Sequence, residues 1–162
     1  MTADKRGRTS AGIVLYRRAA TGLEVLLGHP GGPYNATKDH GHWTIPKGER
    51  DHPDEPLLEV ARREFLEETG HDAGGATPVE LGEIHQNSGK RVVAWGIEGD
   101  LDPAAAVSNT FEMVWPPRSG RLEVFPEIDR VAWFDLVEAA ARLKPAQVPF
   151  LDRLVDALER EP

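Results

Sequence analysis

Three glutamates, Glu64, Glu67 and Glu68, fall within the short stretch Arg63-Glu64-Phe65-Leu66-Glu67-Glu68-Thr69-Gly70. On a helix they share an arc of about 100°. Carboxylate oxygens this close are the donor set of a hard divalent cation such as Mg²⁺, which keeps waters that a phosphate can displace. A bare helix suffers from the arrangement. Glu64 and Glu68, at i and i+4, repel by roughly 0.2–0.5 kcal/mol. Glu67 and Glu68 also lie at the negative end of the helix dipole, at about 0.3–1 kcal/mol each. A solvated acidic face explains the composition, but not acids set beside the apolar stripe of Leu57, Leu58, Ala61 and Phe65. A cation explains both.

The helix that carries these acids is expected over Glu55 to Thr69, with Pro56 in its first turn and Gly70 at its stop. Before it, Ser10 to Tyr16 and Leu23 to Leu27 read as strands joined by a turn at Thr21-Gly22. Gly31 to Gly41 reads as a loop, His42 to Ile45 as a short extended piece, and Pro46-Lys47-Gly48 onward as a charged loop to Asp54. After it, strands are expected at Val79 to His85 and Arg91 to Ile97, with Asn87-Ser88-Gly89 as the hairpin turn. Glu98 to Gly120 reads as irregular, followed by strands at Leu122 to Phe125 and Val131 to Phe134. Asp135 to Leu143 reads as a helix, and Pro149 to Glu159 as an amphipathic one with Phe150, Leu151, Leu154, Val155 and Leu158 on its apolar stripe. The alternation is too irregular for a doubly wound sheet. The expected class is α+β, a mixed sheet between helices, as one domain over residues 9–162 after a disordered tail over residues 1–8.

Composition narrows the chemistry. The chain has 162 residues, 40% of them hydrophobic, which is enough for one core. Its net charge of -8 argues against generic nucleic-acid binding, although an acidic protein binds a phosphorylated small molecule when cations stand between the two. The absence of cysteine excludes disulfides, thiolate metal sites and cysteine catalysis. No apolar run reaches the length of a membrane span, and the N-terminus lacks a signal-peptide core, so a cytoplasmic protein with no membrane partner is expected. Oligomeric state stays open.

Read outward, the acidic stretch is Gly48, six residues, Glu55, seven residues, then Arg63-Glu64-Phe65-Leu66-Glu67-Glu68-Thr69-Gly70. This resembles the signature of the Nudix hydrolases, G-x5-E-x7-R-E-U-x-E-E-x-G-U, with U a bulky aliphatic. Three departures stand out: one extra residue between Gly48 and Glu55, aromatic Phe65, and His71 at the final aliphatic position. None removes an acid. The resemblance implies an α/β/α sandwich and Mg²⁺ or Mn²⁺ held by Glu64, Glu67, Glu68 and the Gly48 carbonyl. It implies that Glu55 and Arg63 pair structurally. The implied reaction is hydrolysis of a nucleoside diphosphate linked to another moiety. The general base would be Glu64, or a loop glutamate before the last strand; Glu127, in Pro126-Glu127-Ile128-Asp129, takes that place, with Glu112 and Glu123 as rivals.

The Pro-Lys-Gly spelling at Pro46 to Gly48 is similar to the branch that includes dinucleoside polyphosphate and diphosphoinositol polyphosphate hydrolases. It makes Lys47 a candidate phosphate contact. Arg118, in Trp115-Pro116-Pro117-Arg118, is a second candidate, ahead of Arg121 and the Lys90-Arg91 pair beside a hairpin turn. Among the tryptophans, Trp115 is the best base-stacking candidate, whereas Trp133 is expected in the core. His40 and His42 form no metal-spaced cluster. The family's proline and tyrosine specificity markers have no counterpart at Gln86 to Gly89. The small-molecule partner expected is thus a nucleotide, most simply a dinucleoside polyphosphate. A Nudix-fold sensor that binds a nucleotide without turnover is the alternative. An isopentenyl-diphosphate isomerase relative is set aside because its chemistry uses a cysteine.

Overall fold

The computed structural model describes residues 8–161, so residues 1–7 of the expected tail lie outside the described residues. Strand β1 (Thr9–Ala19) is the spine of the sheet. It pairs in parallel with β5 (Arg91–Glu98) along one edge, from Thr9 opposite Arg91 to Tyr16 opposite Glu98. Its other edge is shared. Strand β2 (Gly22–Pro30) pairs with its second half, from Tyr16 opposite Val25, and the short β3 (Lys47–Glu49) pairs with Ser10, Ala11 and Gly12. Strands β4 (Val79–His85) and β8 (Ile128–Asp135) complete the order β4-β5-β1-β2-β8.

Strand periodicity divides the core in two. Ile13 and Leu15 on β1 face one layer with Leu26, Val60, Ala61 and Phe65. Val14 and Tyr16, one residue out of phase, face the other with Val25, Leu27, Phe150 and Leu154. The first layer is closed by helix α1 (Leu57–Thr69); the second by α2 (Leu136–Arg142) and α3 (Pro149–Arg160). Phe65 and Phe150 are fully buried, one on each side, and each contributes about 1.5–3 kcal/mol. This is the α+β sandwich expected. No described helix is long and apolar enough to cross a membrane.

Several expectations need correction. Helix α1 begins at Leu57, because Pro56 holds extended backbone (φ -60°, ψ 130°) at the capping position rather than entering the first turn. Its stop is as expected: Gly70 takes a left-handed conformation (φ 75°) and its N–H reaches the Leu66 carbonyl at 2.8 Å. Lys47–Glu49, read as loop, is a strand, whereas Trp43 and Thr44 make only isolated bridges. The irregular region 98–120 contains β6 (Thr110–Val114), which pairs with β7 (Leu122–Pro126) as a two-stranded ribbon outside the main sheet. The ribbon alternates Phe111 and Met113 inward against exposed Thr110, Glu112 and Val114, a pattern hidden by the neighbouring Pro and Gly residues. On α3, Ala157 is buried with Phe150, Leu151 and Leu154, while Val155 and Leu158 are half-buried. Trp133 is also half-buried, under the Arg17 guanidinium at 4.1 Å.

Candidate active site

Strand β3 brings Pro-Lys-Gly against the acidic face of α1. The Lys47 N–H donates to Glu68 Oε1 at 3.0 Å. One residue on, Gly48 lies flat against the Glu64 carboxylate, so closely that a Cβ there would overlap the carboxylate carbon and one oxygen. Only glycine leaves this space. The three acids are therefore not equivalent. Glu68 is largely enclosed, the Glu64 side chain is 15% exposed, and that of Glu67 is 42% exposed.

Burial outweighs the nearby positive charges on two of the acids. The Glu68 carboxyl is pushed up to about 8, first by burial and then by the negative charges of Glu64 and Glu127, against the opposing Lys47 N–H and ammonium. Glu64 is raised by burial and by Glu67, with Arg63 opposing. The Lys47 ammonium is pushed down to about 8 by burial and by Lys90 and Lys144. Lys144, absent from the sequence reading, is lowered by burial and by Lys90. It is carried to the site by α2, whose exit is stitched to the 43–47 segment: Lys144 N–H donates to the Trp43 carbonyl at 2.8 Å, and buried Gln147 accepts the Ile45 N–H at 3.0 Å.

Arg63 joins the loop to the helix. It pairs with Glu55, with Asp51 at 3.3 Å and with Glu64 at 3.4 Å, and it donates to the Glu49 carbonyl at 3.2 Å. Glu55 in turn accepts the Asp51 N–H at 2.9 Å. The extra residue in this loop is absorbed by a turn in which Glu55 N–H reaches the His52 carbonyl at 3.1 Å.

Glu127 sits at the corner between β7 and β8, exposed and without a side-chain ion pair or hydrogen bond among the described residues. Its backbone is fixed on both sides: its N–H donates to Asn109 and its carbonyl accepts from Gly31, each at 2.8 Å. Its rivals Glu112 and Glu123 are both exposed on the separate ribbon. Trp115 and Arg118 lie at the far end of that ribbon. Trp115 packs edge-on against Tyr34 at 5.3 Å, Arg118 has φ 65°, and neither makes a hydrogen bond or ion pair to α1 among the described residues. Lys90 pairs with Glu49 at 2.9 Å, and Arg91 with Glu83. His42 contacts the His40 carbonyl at 2.9 Å.

No three His, Asp or Glu side chains are already closed around a common point among the described residues. The donor chemistry nevertheless fits a hard cation: two enclosed carboxyls, a third beside them, and a glycine backbone that no side chain shields. Beside Glu68 a cavity of about 230 Å³ is lined by Ser108, Ile128, Asp129 and Arg130. Asp129 was not singled out from the sequence. Its long-range partner, buried His29, is reachable only through the fold.

The chain matches the family model described as NUDIX domain over residues 6–154. Its structure is similar to that of a C. elegans Ap4A hydrolase binary complex, at TM-score 0.64 and 22% identity, covering 93% of this chain and 98% of that one. It is similar to the NUDIX domain of Shewanella oneidensis NrtR complexed with ADP ribose, at TM-score 0.63 and 16% identity, covering 93% and 87%. A Nudix hydrolase from M. smegmatis, RenU, matches at TM-score 0.58 and 22% identity, covering 95% and 87%. At these identities the likenesses concern the fold. The match runs from before β1 into α3, and by it the chain belongs to the Nudix domain family.

Proposed function

We propose that this protein hydrolyses a diphosphate linkage in a nucleoside polyphosphate, most simply a dinucleoside polyphosphate, with Mg²⁺ or Mn²⁺ held by Glu64, Glu67, Glu68 and the Gly48 carbonyl. The observation that carries this reading is the packing of bare Gly48 against the enclosed Glu64 carboxylate, with Glu68, largely buried, accepting the Lys47 N–H beside it. When bound, the metal neutralises the diphosphate and acidifies the attacking water. The chain's own residues supply the rest. Glu127, exposed beside Glu68, accepts the proton of the water whose oxygen bonds to phosphorus as the bridging P–O bond breaks. Glu55 and Arg63 hold the loop to α1 and do no chemistry.

Lysines account for the choice of a polyanionic substrate. Lys90 and Lys144 both act electrostatically on the Lys47 ammonium, and Lys90 acts on that of Lys144. Lys144 lines a groove of about 680 Å³ with Gly41, His85, Gln86 and Ser88, within the size range of small-molecule sites. Arg118 and Trp115 remain candidate substrate contacts from the ribbon. A panel of dinucleoside polyphosphates, nucleotide sugars, ADP-ribose, NADH, nucleoside triphosphates and a diphosphoinositol polyphosphate tests the reading. Mg²⁺-dependent release of phosphate products from a polyphosphate supports it. Nucleotide binding with no cleavage of any member replaces it with the sensor reading.

A further inference from the structure

His29 is the fully buried histidine of β2, placed where the strand steps out of register with β8 between His29 and Pro30. Both of its ring nitrogens meet oxygens. Nε2 lies 2.6 Å from the Lys38 carbonyl, and Nδ1 lies 2.9 and 3.0 Å from the two oxygens of Asp129. A carbonyl carries no hydrogen, so Nε2 donates. A proton therefore also lies between Nδ1 and Asp129, whether the pair is imidazolium with carboxylate or imidazole with carboxylic acid. The ring cannot rotate without losing both bonds, and Trp43 closes its face edge-on at 5.1 Å.

The bonds connect two places that matter. Lys38 belongs to the glycine-rich loop after β2, and Asp129 belongs to the corner that carries Glu127. Asp129 also lines the cavity beside Glu68. Nothing in catalysis uses His29 directly, and a buried polar ring satisfied at both ends is an expensive device for packing alone.

We propose that His29 is a positioning residue that acts through Asp129 to hold the Glu127–Ile128–Asp129 corner against Glu68. The role rests on the hydrolase reading above for its catalytic consequence, but not for its structural one. The two bonds can be separated. In His29→Asn the amide nitrogen falls near Nδ1 and keeps the Asp129 bond; in His29→Gln it falls near Nε2 and keeps the Lys38 bond.

The experiment measures amide hydrogen exchange of the peptide spanning residues 126–130, with kcat and KM on diadenosine tetraphosphate in Mg²⁺, for both variants and wild type. The expected result is order. His29→Gln speeds exchange at the corner at least tenfold and lowers kcat at least tenfold with KM within twofold, while His29→Asn stays within threefold of wild type on each. Asp129→Ala, at a partly exposed position, reproduces the His29→Gln behaviour and guards against a buried variant that fails to fold. Equal corner exchange in wild type, His29→Gln and Asp129→Ala overturns the proposal. A wild type that cleaves no nucleotide contradicts the hydrolase reading, while the exchange series still decides the role of His29.

Discussion

The backbone N–H of Lys47 donates to the enclosed carboxyl of Glu68 at 3.0 Å, joining the strand that precedes the box to its last acid. The two side chains oppose each other in charge, yet burial moves both toward neutrality, pushing the carboxyl up and the ammonium down, each to about 8.

The protein's stability should therefore follow pH in a specific way without metal. The Glu68 carboxyl is raised from 4.5 to about 8, so the folded state binds its proton more tightly; that stabilisation is complete below about 4.5 and is lost as pH rises through 8. Lys47 is lowered from 10.5 to about 8, so its penalty persists below 8 and is relieved between 8 and 10.5. In EDTA the melting temperature should fall by several degrees from pH 5 to pH 8 and then level or recover. Added Mg²⁺ should raise it at pH 8 and have little effect at pH 5, as thermal scans across the two buffers would show. A flat profile indifferent to Mg²⁺ contradicts the burial argument.

Gly48→Ala probes the other acid. The added methyl meets the end of the Glu64 side chain, which can swing aside, so the fold should survive with a small change in melting temperature. The displaced carboxylate should weaken Mn²⁺ binding by roughly 10–100-fold, measurable by paramagnetic titration. Unchanged affinity would remove Gly48 and Glu64 from the metal site.

Arg63→Ala should cost stability as well as activity. Its guanidinium pairs with the mostly buried Glu55 and reaches Glu49, Asp51 and Glu64, so the loss is about 1–3 kcal/mol, between the values for exposed and buried pairs. Arg63→Lys should recover little of it, because a point charge cannot serve several acceptors in one plane. Urea unfolding reads both. A wild-type midpoint for Arg63→Ala would refute the structural pairing.

Glu127→Gln keeps the shape of the corner and removes the base. We expect kcat to fall by about 10²–10⁴-fold with KM nearly unchanged. A rise in KM at constant kcat would instead make Glu127 a binding residue and return Glu64 to candidacy as the base.

The sequence made α1 and the acids legible because helix period, glycine stop and charge all coincide over a few residues. It also placed β4 at its observed bounds. It did not reveal β3, whose three residues have no periodicity of their own and pair only because β2 departs from β1. Nor did it reveal β6, whose alternation is brief and flanked by Pro and Gly. Lys47 was reachable through the Pro-Lys-Gly spelling, and Glu127 through its place in the loop before the last strand. Lys144 and the His29–Asp129 pair were not, since residues about 100 positions apart along the chain meet only through the order of the sheet.

The most direct measurement is the Mg²⁺ and Mn²⁺ dependence of phosphate-product release from a dinucleoside polyphosphate, for wild type and Glu68→Gln side by side. Cleavage that requires the metal in wild type, and falls at least a hundredfold in a Glu68→Gln protein that still melts cooperatively, is the predicted result. Cleavage that proceeds in EDTA, or that survives in Glu68→Gln at wild-type rate, would contradict the account.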